Sequence, residues 1–177
     1  MSKGSSGLFS GINSSVNNIA HEEQSHSKDS YNATEELKNH IENAEPTPNG
    51  NNGINGAHHK ENFLEEVNRI GAKITNSIPS MQIDGVETIF YKMPKRDKCG
   101  NPTGDYKVKS FKKTVYDSST ISTETYIKWG LQAANNAANL SFSGKLGREW
   151  TGTDNQGVKW HGYCNSGNEI TSFYPED

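Results

Sequence analysis

Between residues 46 and 53 the chain reads Pro-Thr-Pro-Asn-Gly-Asn-Asn-Gly, a run that breaks both helical and extended periodicity and so forces a loop. This loop divides the regular structure into two parts. On its N-terminal side, residues 32–43 read as a helix. Asn32 or Thr34 can cap it, Glu35 and Glu36 suit its positive end, and Leu37 and Ile41 share one face. His40 comes three residues after Leu37 and so sits near that buried face. On its C-terminal side, residues 60–74 predict a second helix, in which Phe63, Leu64, Val67, Ile70, Gly71 and Ile74 form one apolar stripe. His58 and His59 fall where loop becomes helix.

Strand material comes next. Residues 86–92 and 106–116 are rich in β-branched and aromatic side chains, and the segment Cys99-Gly-Asn-Pro-Thr-Gly-Asp105 lies in the connection between them. Residues 119–140 predict a third helix, capped by Ser122 or Thr123, with Tyr126, Ile127, Trp129, Leu131 and Ala133 as its apolar surface. The end reads as a hairpin, residues 158–163 and 170–174 about a turn at Asn165-Ser-Gly-Asn168. Trp160 and Tyr163 are expected in its core rather than as base-stacking residues. Helices first and antiparallel strands later make an α+β pattern, not an alternating βαβ one.

Residues 1–30 are rich in Ser, Gly, Asn and His and read as a flexible linker or tail, which leaves 31–177 as the folded domain. Apolar residues make up only 31% of the chain, but the polar excess is concentrated in that tail, so the remainder can still bury a core. No run approaches the roughly 20 apolar residues needed to span a bilayer. No charged start with an apolar stretch behind it marks a signal peptide, so export would depend on another segment or machine. Cys99 and Cys164 have neither metal-ligand nor framework spacing and are expected as partly buried free thiols.

The net charge of −3 argues mildly against a nucleic-acid partner, but its distribution softens the objection. Residues 79–116 hold eight basic side chains against four acidic ones, so one segment can offer phosphate contacts.

Two histidines beside a loop suggest one chemistry in particular. Cutting RNA without a metal needs a base for the 2′-hydroxyl proton, an acid for the leaving 5′-oxygen, and donors for the phosphoryl oxygens. Imidazole suits both proton roles near neutral pH. His58 precedes a helix, whose positive end disfavours its protonation and suits it as base. His40 lies near a helix C-terminus, which favours the charged form and suits it as acid.

The residues that carry these histidines resemble a known family. Asn39-His40-Ile41-Glu42-Asn43-Ala44-Glu45, then Ile54-Asn55-Gly56-Ala57-His58, then Asn62-Phe63, resembles the first half of the bacterial EndoU nuclease domain. That family's pattern is N-H-I-x-N-A-E, a Gly-rich loop, and G-G-H before a helix. Lys113-Thr114-Val115-Tyr116-Asp117 is similar to its K-T-V-Y-D stretch. Ile170-Thr171-Ser172-Phe173-Tyr174-Pro175 is similar to its last strand, including that of the coronaviral uridylate-specific endoribonuclease. The likeness covers about residues 30–177, and within the family it extends to toxin domains of contact-dependent growth inhibition proteins.

The resemblance implies an EndoU-like nuclease fold and a toxin that cleaves RNA, tRNA beside uridine above all, leaving 2′,3′-cyclic phosphate and 5′-hydroxyl ends. It implies no metal and no cofactor. It also implies export within a larger secreted or surface protein, action in a target-cell cytoplasm, and a monomer bound by a cognate immunity protein. Carried over residue by residue, His40 and His58 are catalytic, joined by Thr171 near the phosphate. Thr114 contacts the base, Tyr174 stacks on ribose or base, and Lys112 contacts substrate. Strand alternation puts Lys112 on the face of Thr114 and turns Lys113 away, and it turns Thr171 away from Ser172 and Tyr174 unless a bulge intervenes. Two departures stand out: Ala57 where the family has a second glycine, and His59 where it often has asparagine. His59 is thus a rival to His58. Two other classes remain open, a non-catalytic binding module recognised by an immunity protein and a metal-dependent nuclease.

Overall fold

Thr34 opens the first helix by accepting a hydrogen bond from the Leu37 amide at 3.1 Å, and α1 runs Glu35–Glu42 with Leu37 and Ile41 buried. The structure, a computed structural model, describes residues 30–46 and 52–177. The expected N-terminal linker and residues 47–51 of the loop lie outside the described residues. Short strands β1 (Ala44–Glu45) and β2 (Asn55–Gly56) pair antiparallel and bring the two ends of that loop together.

The second helix, α2 (Lys60–Ile70), is shorter than its apolar stripe suggests. Gly71 takes φ 74°, a left-handed value that stops the helix, and its amide turns back to the carbonyls of Asn68 and Val67. Ile74 therefore belongs not to the helix but to an unforeseen strand, β3 (Lys73–Pro79). This strand pairs with β4 (Val86–Arg96), which pairs with β5 (Pro102–Tyr116), in a three-stranded antiparallel sheet. Both β4 and β5 run further than the β-rich segments of the sequence, because each supplies the other with a ladder through the turn.

Ser122 caps α3 (Thr123–Leu140), and beyond it lies a second three-stranded antiparallel sheet. It orders β6 (Glu149–Thr153), also unforeseen, beside β7 (Lys159–Cys164) and β8 (Ile170–Pro175). The α+β expectation is borne out.

Two cores result. α1 and α3 cover the second sheet, burying Leu37, Ile41, Tyr126, Trp160 and Phe173. α2 covers the first sheet, burying Phe63, Val67, Ile89, Tyr91 and Val115. Fully burying one such aromatic contributes about 2–3 kcal/mol. Gly130 is required where α3 crosses β8, since a Cβ there would overlap the Phe173 ring. Asp154, buried in the turn between β6 and β7, accepts from the Trp160 indole at 2.9 Å and from the Val158 amide at 3.0 Å, so its polar atoms are satisfied. Cys99 is exposed and Cys164 buried, and neither is paired. Among the described residues no helix is long and apolar enough to cross a membrane.

Candidate active site

The two histidines are brought together by main chain before any side chain takes part. The last carbonyls of a helix lack partners within it. Those of α1 receive the loop behind them: the Ala57 amide donates to the carbonyls of His40 (3.0 Å) and Asn43 (2.9 Å), and the His58 amide to Ile41 (2.7 Å). Gly56 makes the approach possible, with φ 69°, because a Cβ there would drive into the His40 and Asn43 carbonyl oxygens. Ala57 itself takes φ 55° and is fully buried. Alanine thus occupies a left-handed position that glycine fills without strain.

His58 then runs beside the free edge of β5. Its main-chain carbonyl accepts from the Tyr116 amide at 2.8 Å, and its Nδ1 lies 2.7 Å from the carbonyl oxygen of Thr114. A carbonyl only accepts, so the neutral ring carries its proton on Nδ1 and leaves Nε2 bare. Burial holds the imidazole well below its ordinary pKa of 6.5, and the nearby charge of Lys113 lowers it further. The His40 ring lies 6.2 Å away, centroid to centroid, and its Nδ1 meets the Glu45 carboxylate at 3.0 Å. That contact fixes the His40 ring and leaves its other nitrogen available.

Around the pair opens a cleft of about 720 Å³, and it collects nearly every residue singled out by the sequence: His40, His58, Lys112, Lys113, Thr114, Thr171 and Tyr174. His59 does not line it. Its side chain accepts from the Asn62 amide at 3.4 Å as the N-cap of α2, and its ring packs edge-on against Tyr116. Of the adjacent histidines, only His58 therefore borders the cleft.

Lysine register comes out differently from simple alternation. Lys112 is exposed, whereas Lys113 is half-buried at the cleft, its pKa pushed down by burial to about 8 against the opposing pull of Glu45. Strand β5 meets the cleft with its edge, so side chains from both of its faces reach the space.

A bulge also alters the last strand. Tyr163 pairs with Ser172 but Cys164 pairs with Ile170, which leaves Thr171 as the extra residue. Ile170 and Phe173 can then both face the core while Thr171, Ser172 and Tyr174 all border the cleft. Thr171 donates to the Tyr163 carbonyl at 3.4 Å. The Tyr174 ring lies between two histidines, nearly parallel to His58 (6.4 Å, 12°) and to His161 (5.5 Å, 20°). His161 is held in turn by Glu149 (2.7 Å) and Glu176 (3.0 Å).

Tyr163 corrects the expectation that it belongs to the core. Trp160, Gly162 and Cys164 face inward on β7, so Tyr163 is turned outward, 39% exposed, onto the cleft rim. Glu45 carried no expected role, although it closes the N-H-I-x-N-A-E block. The cross-strand partner of Tyr163, Ser172, was legible only as a neighbour of Tyr174.

The chain matches the bacterial EndoU nuclease family over residues 34–177. It is 33% identical over 128 residues to a tRNA nuclease CdiA of Escherichia coli (strain STEC_O31). To a tRNA nuclease CdiA of Yersinia mollaretii it is 28% identical over 124 residues. Each alignment takes in 70% of this chain but 4% of the relative, so the chain spans a small fraction of those proteins. With 144 matched residues that include the whole cleft, this chain belongs to the bacterial EndoU nuclease family. The family is one of nucleases.

Proposed function

We propose that this domain is a toxin that cleaves RNA, with tRNA as substrate, by a metal-independent transphosphorylation at His40 and His58. His58 Nε2 takes the 2′-hydroxyl proton. The 2′-oxygen then forms a bond to phosphorus as the bond to the 5′-oxygen breaks, and His40 returns a proton to that leaving oxygen. The products are a 2′,3′-cyclic phosphate and a free 5′-hydroxyl. Lys113, with Lys112 at the rim, offsets charge on the phosphoryl oxygens. Thr114 and Ser172 or Thr171 offer hydroxyls to the base and phosphate, and Tyr174 offers a ring face to base or ribose.

One observation carries this reading: the Thr114 carbonyl accepts from Nδ1 of His58, which leaves Nε2 bare on the neutral ring, beside a second, carboxylate-anchored histidine. A pure binding module has no need of such a base. The relatives' names supply the RNA class, and their length motivates the rest: delivery within a larger exported protein, action in the cytoplasm of a target cell, and a cognate immunity protein in the producer. His40→Ala and His58→Ala should each abolish cleavage of tRNA while wild type cuts in excess EDTA. Wild-type cleavage that needs a divalent ion would replace this reading with a metal-dependent one.

A further inference from the structure

Opposite Met93 the ladder between β4 and β5 skips: Lys92 pairs with Ser110 and Pro94 with Tyr106, so Lys107, Val108 and Lys109 loop out of the register. Three residues on one strand face one on the other, a bulge that bends the strand and re-aims its side chains. Val108 is 86% exposed at its tip. Residues 107–114 read Lys-Val-Lys-Ser-Phe-Lys-Lys-Thr, four lysines and no carboxylate, in a protein whose net charge is −3. The Lys109 ammonium lies 4.6 Å from the centre of the Phe111 ring, two residues from Lys113 on the same strand. Lys112 and Lys113 border the cleft. Along β5 two pairs of lysines, with no carboxylate between them in the chain, thus lead from the cleft to the bulge.

We propose that the bulge at Lys107, Val108 and Lys109 is a phosphate-binding arm that holds the RNA strand beyond the bond being cut. The proposal rests on the cleft being an RNA site, and the charge pattern points to a polyanion rather than to a single phosphate. Alternate residues of a strand lie about 7 Å apart, so lysines along β5 meet successive phosphates of an extended chain. The bulge lies on the order of 20 Å from Thr114 at strand rise, several nucleotides from the cut. An arm at that distance contributes to holding long substrates and nothing to the reacting bond.

The test uses the full chain and an uncleavable probe, a 2′-fluoro single-stranded oligonucleotide of about fifteen residues, with affinity measured across a series of KCl concentrations. A Lys107→Gln/Lys109→Gln variant is compared with wild type, and its thermal melting verifies the fold. The arm predicts binding at least tenfold weaker at low salt, with a salt slope shallower by about 1.4, two contacts at about 0.7 each on single strands. In parallel, kcat/KM for a dinucleotide such as UpA stays within twofold of wild type while kcat/KM for tRNA falls. Unchanged affinity and slope in a folded variant overturn the proposal and assign the lysines to another acidic partner. A wild type that binds with this slope yet cleaves nothing leaves the arm standing and removes the catalytic reading of the cleft instead.

Discussion

His58 Nδ1 lies 2.7 Å from the carbonyl oxygen of Thr114, and this one hydrogen bond decides which nitrogen of the neutral ring is left bare. The partner is main chain, so no substitution at position 114 removes the acceptor. The same strand that fixes the tautomer also brings Lys113 close enough to act on the ring's charge. The tautomer is thus set by one short stretch of β5, and the protonation state by burial first and by Lys113 of that stretch second.

A pH profile reads this directly. Since burial and then Lys113 hold His58 well below its ordinary 6.5, the acid limb of kcat/KM on a dinucleotide should lie well below pH 6.5. Lys113→Met removes a positive neighbour, makes protonation of His58 easier, and should move that limb to higher pH. A limb that stays fixed, or moves down, would show that His58 is not the titrating base.

The same substitution should stabilise the fold while harming catalysis. Lys113 has its pKa depressed from 10.5 to about 8, so its charged form is disfavoured in the folded state. Below about pH 8 both folded and unfolded chains carry the charge and the full penalty is present; above 10.5 both are neutral and it vanishes. At pH 7 Lys113→Met should therefore raise stability by up to about 3 kcal/mol and lower kcat about a hundredfold. Denaturant unfolding at pH 7 is the check, and a loss of stability would contradict the burial argument.

Adjacent histidines should separate cleanly by assay. His59 caps α2 through a long 3.4 Å contact, so His59→Ala should cost about 0.5–1 kcal/mol and leave cleavage per folded molecule near wild type. His58→Ala should abolish cleavage. Loss of cleavage in a well-folded His59→Ala protein would transfer the catalytic role to His59.

The neighbouring turn gives a contrast between two small residues. Gly56→Ala pushes a methyl into the carbonyl oxygens of His40 and of the α1 C-cap Asn43 and should cost more than about 3 kcal/mol, with cleavage lost as His58 is displaced. Ala57→Gly relieves a left-handed alanine but removes a fully buried methyl, two effects of about 1 kcal/mol each and opposite sign. Its unfolding midpoint should barely move. A large shift in either direction would mean that one of these effects is misjudged.

The site was more legible in the sequence than the strands were. His40, His58, Thr114 and Tyr174 are marked by local blocks, because a histidine poised on a helix end needs a particular turn beside it, and that turn leaves its glycine in the sequence. Features that depend on register were not legible. Ile74 fits the α2 stripe as well as any residue in it, and only the left-handed Gly71 ends the helix. β6 has few apolar side chains and is a strand because β7 supplies its partner. Lys113 and Thr171 were both turned away by strict alternation, which fails at a strand edge and at a bulge. Tyr31 carried no signal, yet its hydroxyl takes the Leu146 amide at 2.9 Å and the Asn168 side chain at 2.7 Å.

The most direct test of the two-histidine account is incubation of the purified chain with total bacterial tRNA in excess EDTA, beside His40→Ala and His58→Ala, with the new RNA ends identified chemically. Wild type alone should cleave, leaving 2′,3′-cyclic phosphate and 5′-hydroxyl ends. Cleavage that persists in either variant, or 3′-hydroxyl ends produced only with a divalent ion, would contradict it.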